Sequence, residues 1–185
     1  KSAGRYEVSD FQGYDQTSSK WILKEGVADA SAVIGDVRPG SMKLVDQATV
    51  ENEDGTKSGN GVIGEEDKVK IGNVNPDVTG GFALNARAYG FDLAANFNCS
   101  IGNQVYNANK IECTQTGKYQ YRNMITEMAD GKRWTNLNED GTLCNDPEKL
   151  AELNKNTTMW SPYTSKMILT DWAIEKASFL RLNTL

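Results

Sequence analysis

The 185-residue chain contains no histidine at all. That absence removes the base of Ser/His/Asp and Cys/His catalysis and a principal zinc ligand. Cysteine is sparse: Cys99, Cys113 and Cys144 are widely spaced and form no CxxC, so neither a zinc ribbon nor a dithiol motif can be built. One disulfide would suit an oxidising compartment; three incidental thiols is the plainer reading. No run approaches the roughly 18 consecutive apolar residues that a spanning helix needs. A membrane barrel escapes that exclusion, since its strands need only about 9–11 alternating residues. Clustered cations are missing too. With 20 Lys and Arg against 25 Asp and Glu, the net charge is −5, and no nucleic-acid partner is expected. Residues 1–20 carry no apolar stretch of the signal-peptide kind. The chain therefore reads as cytosolic, already processed, or excised from something longer. No catalytic constellation stands out, and no enzymatic activity is expected.

What is present is alternation. In "GGFALNARAYGFDLAANFNCSIGN", Phe82, Leu84, Ala86 and Ala88 fall on one face, opposite Asn85 and Arg87. After Tyr89-Gly90, Phe91, Leu93, Ala95, Phe97 and Cys99 share a face opposite Asp92, Asn96, Asn98 and Ser100. A period of two marks strands, joined here by a two-residue turn. A soluble hairpin would bury its apolar face on a core. A membrane barrel would show it to lipid.

Around this hairpin the chain divides by texture. "KWILKEGV" and "VRPGSMKLVD" read as short strands entering or leaving turns, and "ENEDGTK" as a small hairpin tip with Asp54-Gly55 as a primed turn. Residues 36–79 form a turn and an acidic, glycine-rich loop. Residues 80–103 are the hairpin. Residues 107–166 make a long loop with helices at Tyr119–Ala129, from Tyr121, Met124, Ile125 and Met128, and at "NDPEKLAELNKNT". The second helix has Asp146 as N-cap, Pro147 at N1, and Leu150 and Leu153 facing inward. Residues 167–185 return to strand, and the apolar ending at Leu185 suggests truncation.

Several motifs in order resemble one family. "GDVRPGSMKLVD", "NGVIGEEDKVKIGNVNPDVTGGFALNARAYGFDLAANFNCSIGNQVYNANK", "GKRWTN" and "WAIEKASFLRLNTL" resemble the C-terminal part of SusC/RagA-type TonB-linked outer-membrane proteins of Bacteroidetes. The match runs from about Gly35 onward. The resemblance implies a mainly β chain: antiparallel strands of a large transmembrane β-barrel, with long extracellular loops carrying short helices. The complete family barrel has about 22 strands closed by an N-terminal plug, and nothing here looks like that plug. It implies residence in the bacterial outer membrane, in contact with its lipid. It implies import of glycans, peptides or other large nutrients with a SusD-like surface lipoprotein and TonB as partners, both engaged through regions outside this chain. The other reading is a self-standing soluble β-rich module that binds carbohydrate or protein.

The resemblance also points to particular residues. Asn85, Arg87, Asp92 and Asn96 would face the barrel lumen, although an Arg87–Asp92 salt bridge beside the turn is equally natural. The family often carries a calcium loop, and "SGNGVIGEED" places Ser58, Asn60, the Val62 carbonyl and Asp67 on its ligand positions. Asp46 is the candidate first ligand but is separated from them by Gln47–Lys57, and a metal-free glycine-rich loop is the plainer reading. Glu65, Glu66 and Asp67 read as solvated loop charge. Trp134, Trp160 and Tyr163 lie in the long loop, where they could stack on a glycan, pack the loop helices or join an interfacial girdle.

Overall fold

The computed structural model describes residues 1–47, 50–53, 55, 57–117, 121–163 and 168–185, Lys57 by its backbone alone. In chain order the elements are strands β1 (Ser2–Arg5), β2 (Phe11–Asp15) and β3 (Lys20–Leu23), helix α1 (Ser31–Ile34), and strands β4 (Met42–Leu44), β5 (Val50–Glu51) and β6 (Lys57–Ser58). There follow β7 (Val78–Ala88), β8 (Phe91–Ile101), β9 (Gln104–Tyr106), helices α2 (Ala108–Glu112) and α3 (Pro147–Asn154), then β10 (Ile174–Lys176) and β11 (Phe179–Thr184). The described residues are mainly β, and every strand pairing is antiparallel. The sheets are small and open, and no closed barrel occurs among the described residues.

The chain separates into two compact units. The first combines residues 1–69 with 108–172, and it holds the core. Tyr6, Phe11, Trp21, Ile34 and Met42 from the first segment cluster with Met128, Leu150, Met159 and Trp160 from the second. Phe11 meets Trp21 edge-on at 5.6 Å and Tyr14 lies 5.7 Å from the same indole. A backbone bond joins the two segments, Ser161 N–H donating to Gly40 O at 2.7 Å, and Gly40 is itself held by its N–H donating to Tyr6 O at 2.8 Å. Arg5 reinforces this seam, donating to Thr157 Oγ1, Thr157 O and Met159 O at 2.8–2.9 Å.

Helix α3 forms as its caps dictate. Asp146 accepts from Glu148 N and Lys149 N, and Pro147 supplies the first turn. Leu150 is fully buried, but Leu153 is 38% exposed, a correction to the inward stripe. Asn154 takes the inward place. Its Nδ2 donates to Leu150 O and Thr135 O, and its Oδ1 accepts from Thr135 N, so its amide is satisfied while buried.

The expected helix over Tyr119–Ala129 is also corrected. Tyr119 and Gln120 lie outside the described residues; from Tyr121 the chain is irregular, with one 3₁₀ turn at Thr126–Met128. Tyr121 points fully into solvent, which breaks the supposed stripe, and so short a segment gains little from helix formation alone. Met128 reaches the core through the turn instead, while Ile125 N–H donates to Cys113 O. The Asp54-Gly55 turn has Asp54 outside the described residues, though β5 and β6 do pair across it. The last strand reading holds with a shift: Asp171–Ala173 is a 3₁₀ turn, and β10 starts at Ile174.

The second unit combines residues 70–107 with 173–185. Its main sheet has the order β11-β8-β7. The β7–β8 hairpin closes at Tyr89-Gly90, whose φ values of 51° and 84° are those of a two-residue type I′ turn. Beyond the sheet, β9 and β10 continue the β8–β11 ribbon after a one-residue slip at Gly102. Gly102 has φ +90°, donates its N–H to Ser178 Oγ at 3.0 Å, and lies so close under the Asp77 carboxylate that no Cβ fits.

Candidate functional site

The register of the second unit sorts its side chains into two faces. Directly opposed residues share a face, so one side runs from Val78–Ile101 through Phe82–Phe97 and Leu84–Ala95 to Ala88–Phe91. Strand β11 extends it with Leu180 beside Cys99 and Leu182 beside Phe97. This face carries no charged side chain. It is also uncovered: Phe82 is 54% exposed, Leu84 53%, Phe91 80% and Leu180 63%. Within it Phe82 and Phe97 stack at 4.7 Å with planes 15° apart. A soluble domain rarely leaves so long an apolar surface open.

The other face gathers the polar residues read from the sequence. Asn85, Arg87, Asp92 and Asn96 all lie on it and all are exposed. Arg87 opposes Asp92 directly and grips it through two guanidinium nitrogens, with Nη2 donating to Oδ2 at 2.9 Å. That hydrogen-bonded guanidinium holds the Asp92 carboxyl below its usual range. The mutual ion pair therefore exists, on the face where the sequence placed both residues. Strand β11 adds Arg181 to this side, a residue the sequence reading passed over although the alternation of "FLRLNT" signals it.

The glycine-rich loop is organised by carboxylates and backbone amides. Asp67 is buried, a correction to its reading as solvated charge, because it accepts from Gln47 N at 2.5 Å and from Gly64 N at 2.7 Å. Asp46 returns to the loop despite the intervening segment: its Oδ2 accepts from Gly61 N at 2.8 Å, and it packs on Gly59. Asn60 Oδ1 accepts from Val62 N and its amide donates to Glu66 Oε1, while Ser58 Oγ donates to Asn52 Oδ1. The proposed ligands Ser58, Asn60, Val62 and Asp67 are thus spread over separate partners. Among the described residues no three acidic or cysteine side chains group as a metal site. Amide N–H groups take both Asp67 oxygens and the Asn60 Oδ1, whereas Asp46 Oδ1 is buried without a hydrogen-bond partner.

The loop aromatics divide. Trp134 is 1% exposed, with the Arg5 guanidinium 4.6 Å above its ring and Gly40 packed against its indole. Trp160 is 3% exposed and meets Trp172 edge-on at 4.7 Å. Both indoles are consumed by packing, which corrects their reading as ligand contacts. Tyr163, 67% exposed, is the one of the three that can reach a ligand. A shallow cavity of about 320 Å³ beside Trp160 and Trp172 is lined by Arg5 and Asp171, but Arg5 is already committed as above and Asp171 accepts from Ser2 N. The cysteines are all unpaired.

No protein-family profile, no curated protein and no solved structure matches the chain.

Proposed function

We propose that the chain forms part of an outer-membrane β-barrel importer of the SusC/RagA type. The reading rests on the ordered motifs that resemble that family. The single observation that carries it is the β11-β8-β7 sheet, whose charge-free face leaves Phe82, Leu84, Phe91 and Leu180 exposed while its other face is polar. Alternating apolar-out and polar-in strands are what a barrel wall requires. In this reading Asn85, Arg87, Asp92 and Asn96 line the aqueous interior. The long helix-bearing loop would be extracellular, where a SusD-like lipoprotein and a glycan or peptide ligand would meet it. TonB would act through parts of the importer not included in this sequence. The function is transport, with no bond made or broken by this chain.

A second reading has its own support. The first unit owns a buried cluster with Tyr6 and Leu150 fully enclosed, as a self-standing soluble binding module would. One experiment separates the two. The chain is mixed with phosphatidylcholine vesicles and floated on a density gradient. Co-flotation, with detergent needed to release it, is the expected result. A chain that remains monomeric and cooperatively folded in detergent-free buffer, and stays at the bottom, would sink the importer reading.

A further inference from the structure

Asn60-Gly61 is the one Asn-Gly step in the chain, and the glycine-rich loop holds each reactive group of that step in place. Both residues are exposed, and Gly61 sits at φ +81° with open space where a side chain would be. Asn60 Oδ1 accepts from Val62 N at 3.0 Å. A side chain bonded to the backbone two residues on is folded back along the chain, which turns Asn60 Cγ toward the Gly61 nitrogen. The other two groups meet carboxylates. Gly61 N–H donates to Asp46 Oδ2 at 2.8 Å, and Asn60 Nδ2 donates to Glu66 Oε1 at 3.1 Å. Asp46 Oδ1 is buried without a hydrogen-bond partner.

These contacts match the needs of one reaction. A backbone nitrogen that attacks the preceding carboxamide must give up its proton, and the carbonyl oxygen gathers charge as the bond forms. Asp46 Oδ2 already holds that proton, and the Val62 N–H already points at that oxygen, as a donor stabilising an oxyanion does. Glu66 fixes the leaving nitrogen. We propose that Asn60-Gly61 is a self-modification site, at which the chain deamidates through a cyclic succinimide. The Gly61 nitrogen bonds to Asn60 Cγ while its proton passes to Asp46. The Cγ–Nδ2 bond then breaks, and Nδ2 leaves as ammonia with the proton returned from Asp46. Water opens the ring at either carbonyl, giving aspartate or isoaspartate. Nothing is oxidised or reduced, and water is the only co-reactant. The product lacks the amide donor that faced Glu66 and carries a carboxylate in its place, so like charges meet there and repel. The loop therefore changes once and does not revert. None of this depends on the importer reading.

The full chain is kept at neutral pH, either folded or unfolded in guanidinium chloride, and the peptide containing Asn60 is followed by mass spectrometry. Hydroxylamine, which cleaves a succinimide, traps the intermediate. The folded chain is expected to convert faster than the unfolded one, with cleavage between Asn60 and Gly61. Asp46→Asn is expected to slow the folded chain about 10-fold, below the usual general-base range because a carboxylate is a weak base towards an amide. In denaturant the same substitution is expected to change nothing. Slower conversion in the folded chain would overturn the proposal, since the contacts would then protect the amide. A folded Asp46→Asn chain that converts as fast as the unsubstituted one would overturn it as well. If Asp46→Asn loosens the loop, the comparison of folded with unfolded unsubstituted chain still decides, because it needs no variant.

Discussion

Phe82 and Phe97 sit directly opposite each other across β7 and β8, their rings stacked 4.7 Å apart, and still Phe82 is half exposed. Cross-strand aromatic pairs normally close a core from above. Here the pair is the outer surface, so its energy depends on the medium that meets it.

A double-mutant cycle tests this pair. Phe82→Ala and Phe97→Ala, measured singly and together in lipid, are expected to couple by about 0.5–1.5 kcal/mol. Chemical denaturation followed by circular dichroism gives the numbers. Zero coupling would mean that the rings do not stack.

Arg87 and Asp92 lie on the opposite face beside the turn. Asp92 has its pKa lowered by the hydrogen-bonded Arg87 guanidinium, so the pair stabilises the hairpin above the unfolded carboxylate value. That contribution is lost as pH falls through the lowered folded value. Both groups are solvent-exposed, so the effect weakens with salt. Carboxyl chemical shifts should show Asp92 titrating below a reference Asp, and Arg87→Gln should restore the ordinary value.

Gly40 is held at φ +89° against the Trp134 indole, leaving no room for a side chain. Gly40→Ala is expected to cost about 2–5 kcal/mol, from left-handed strain plus overpacking. Tryptophan fluorescence during urea unfolding reports it, because Trp134 is the residue displaced. An unchanged midpoint would contradict the packing described.

Asp146→Ala removes the side-chain cap of α3 and should cost about 0.5–2 kcal/mol. The Asp146→Asn variant keeps an acceptor oxygen and should recover most of the loss in a thermal melt.

Tyr6 carries an alkaline signature. Burial pushes its phenol up to about 12, and its hydroxyl donates to Ala28 O at 2.6 Å. The neutral phenol therefore contributes stability that is fully present below the unfolded value near 10 and is lost as pH rises toward 12. Tyr6→Phe should flatten the decline in stability measured between those limits.

Local patterns were legible wherever neighbours in sequence decide the outcome. The hairpin follows from its period of two and the Tyr89-Gly90 turn, and α3 follows from Asp146, Pro147 and Glu148. Asn85, Arg87, Asp92 and Asn96 were assigned to one face by alternation alone, and the register agrees. Long-range packing was hidden. Nothing near Trp134 announces that Arg5 will cover it, and the hydrogen bonds that hold Arg5 reach Thr157, 152 residues away. The acidic-loop motif did tie Asp46 to this loop, but did not show that the Gly61 N–H would donate to its Oδ2.

The sequence by itself determined which residues alternate, where the hairpin turns and where α3 starts, because dihedral preference and capping act over a few residues. Tertiary structure decided which apolar side chains are hidden. The same kind of residue is enclosed at Leu150 and left open at Leu84, since burial depends on what distant chain arrives to cover it. For Phe82 and Leu84 none arrives among the described residues, and that exposed apolar face is what the proposed importer reading rests on.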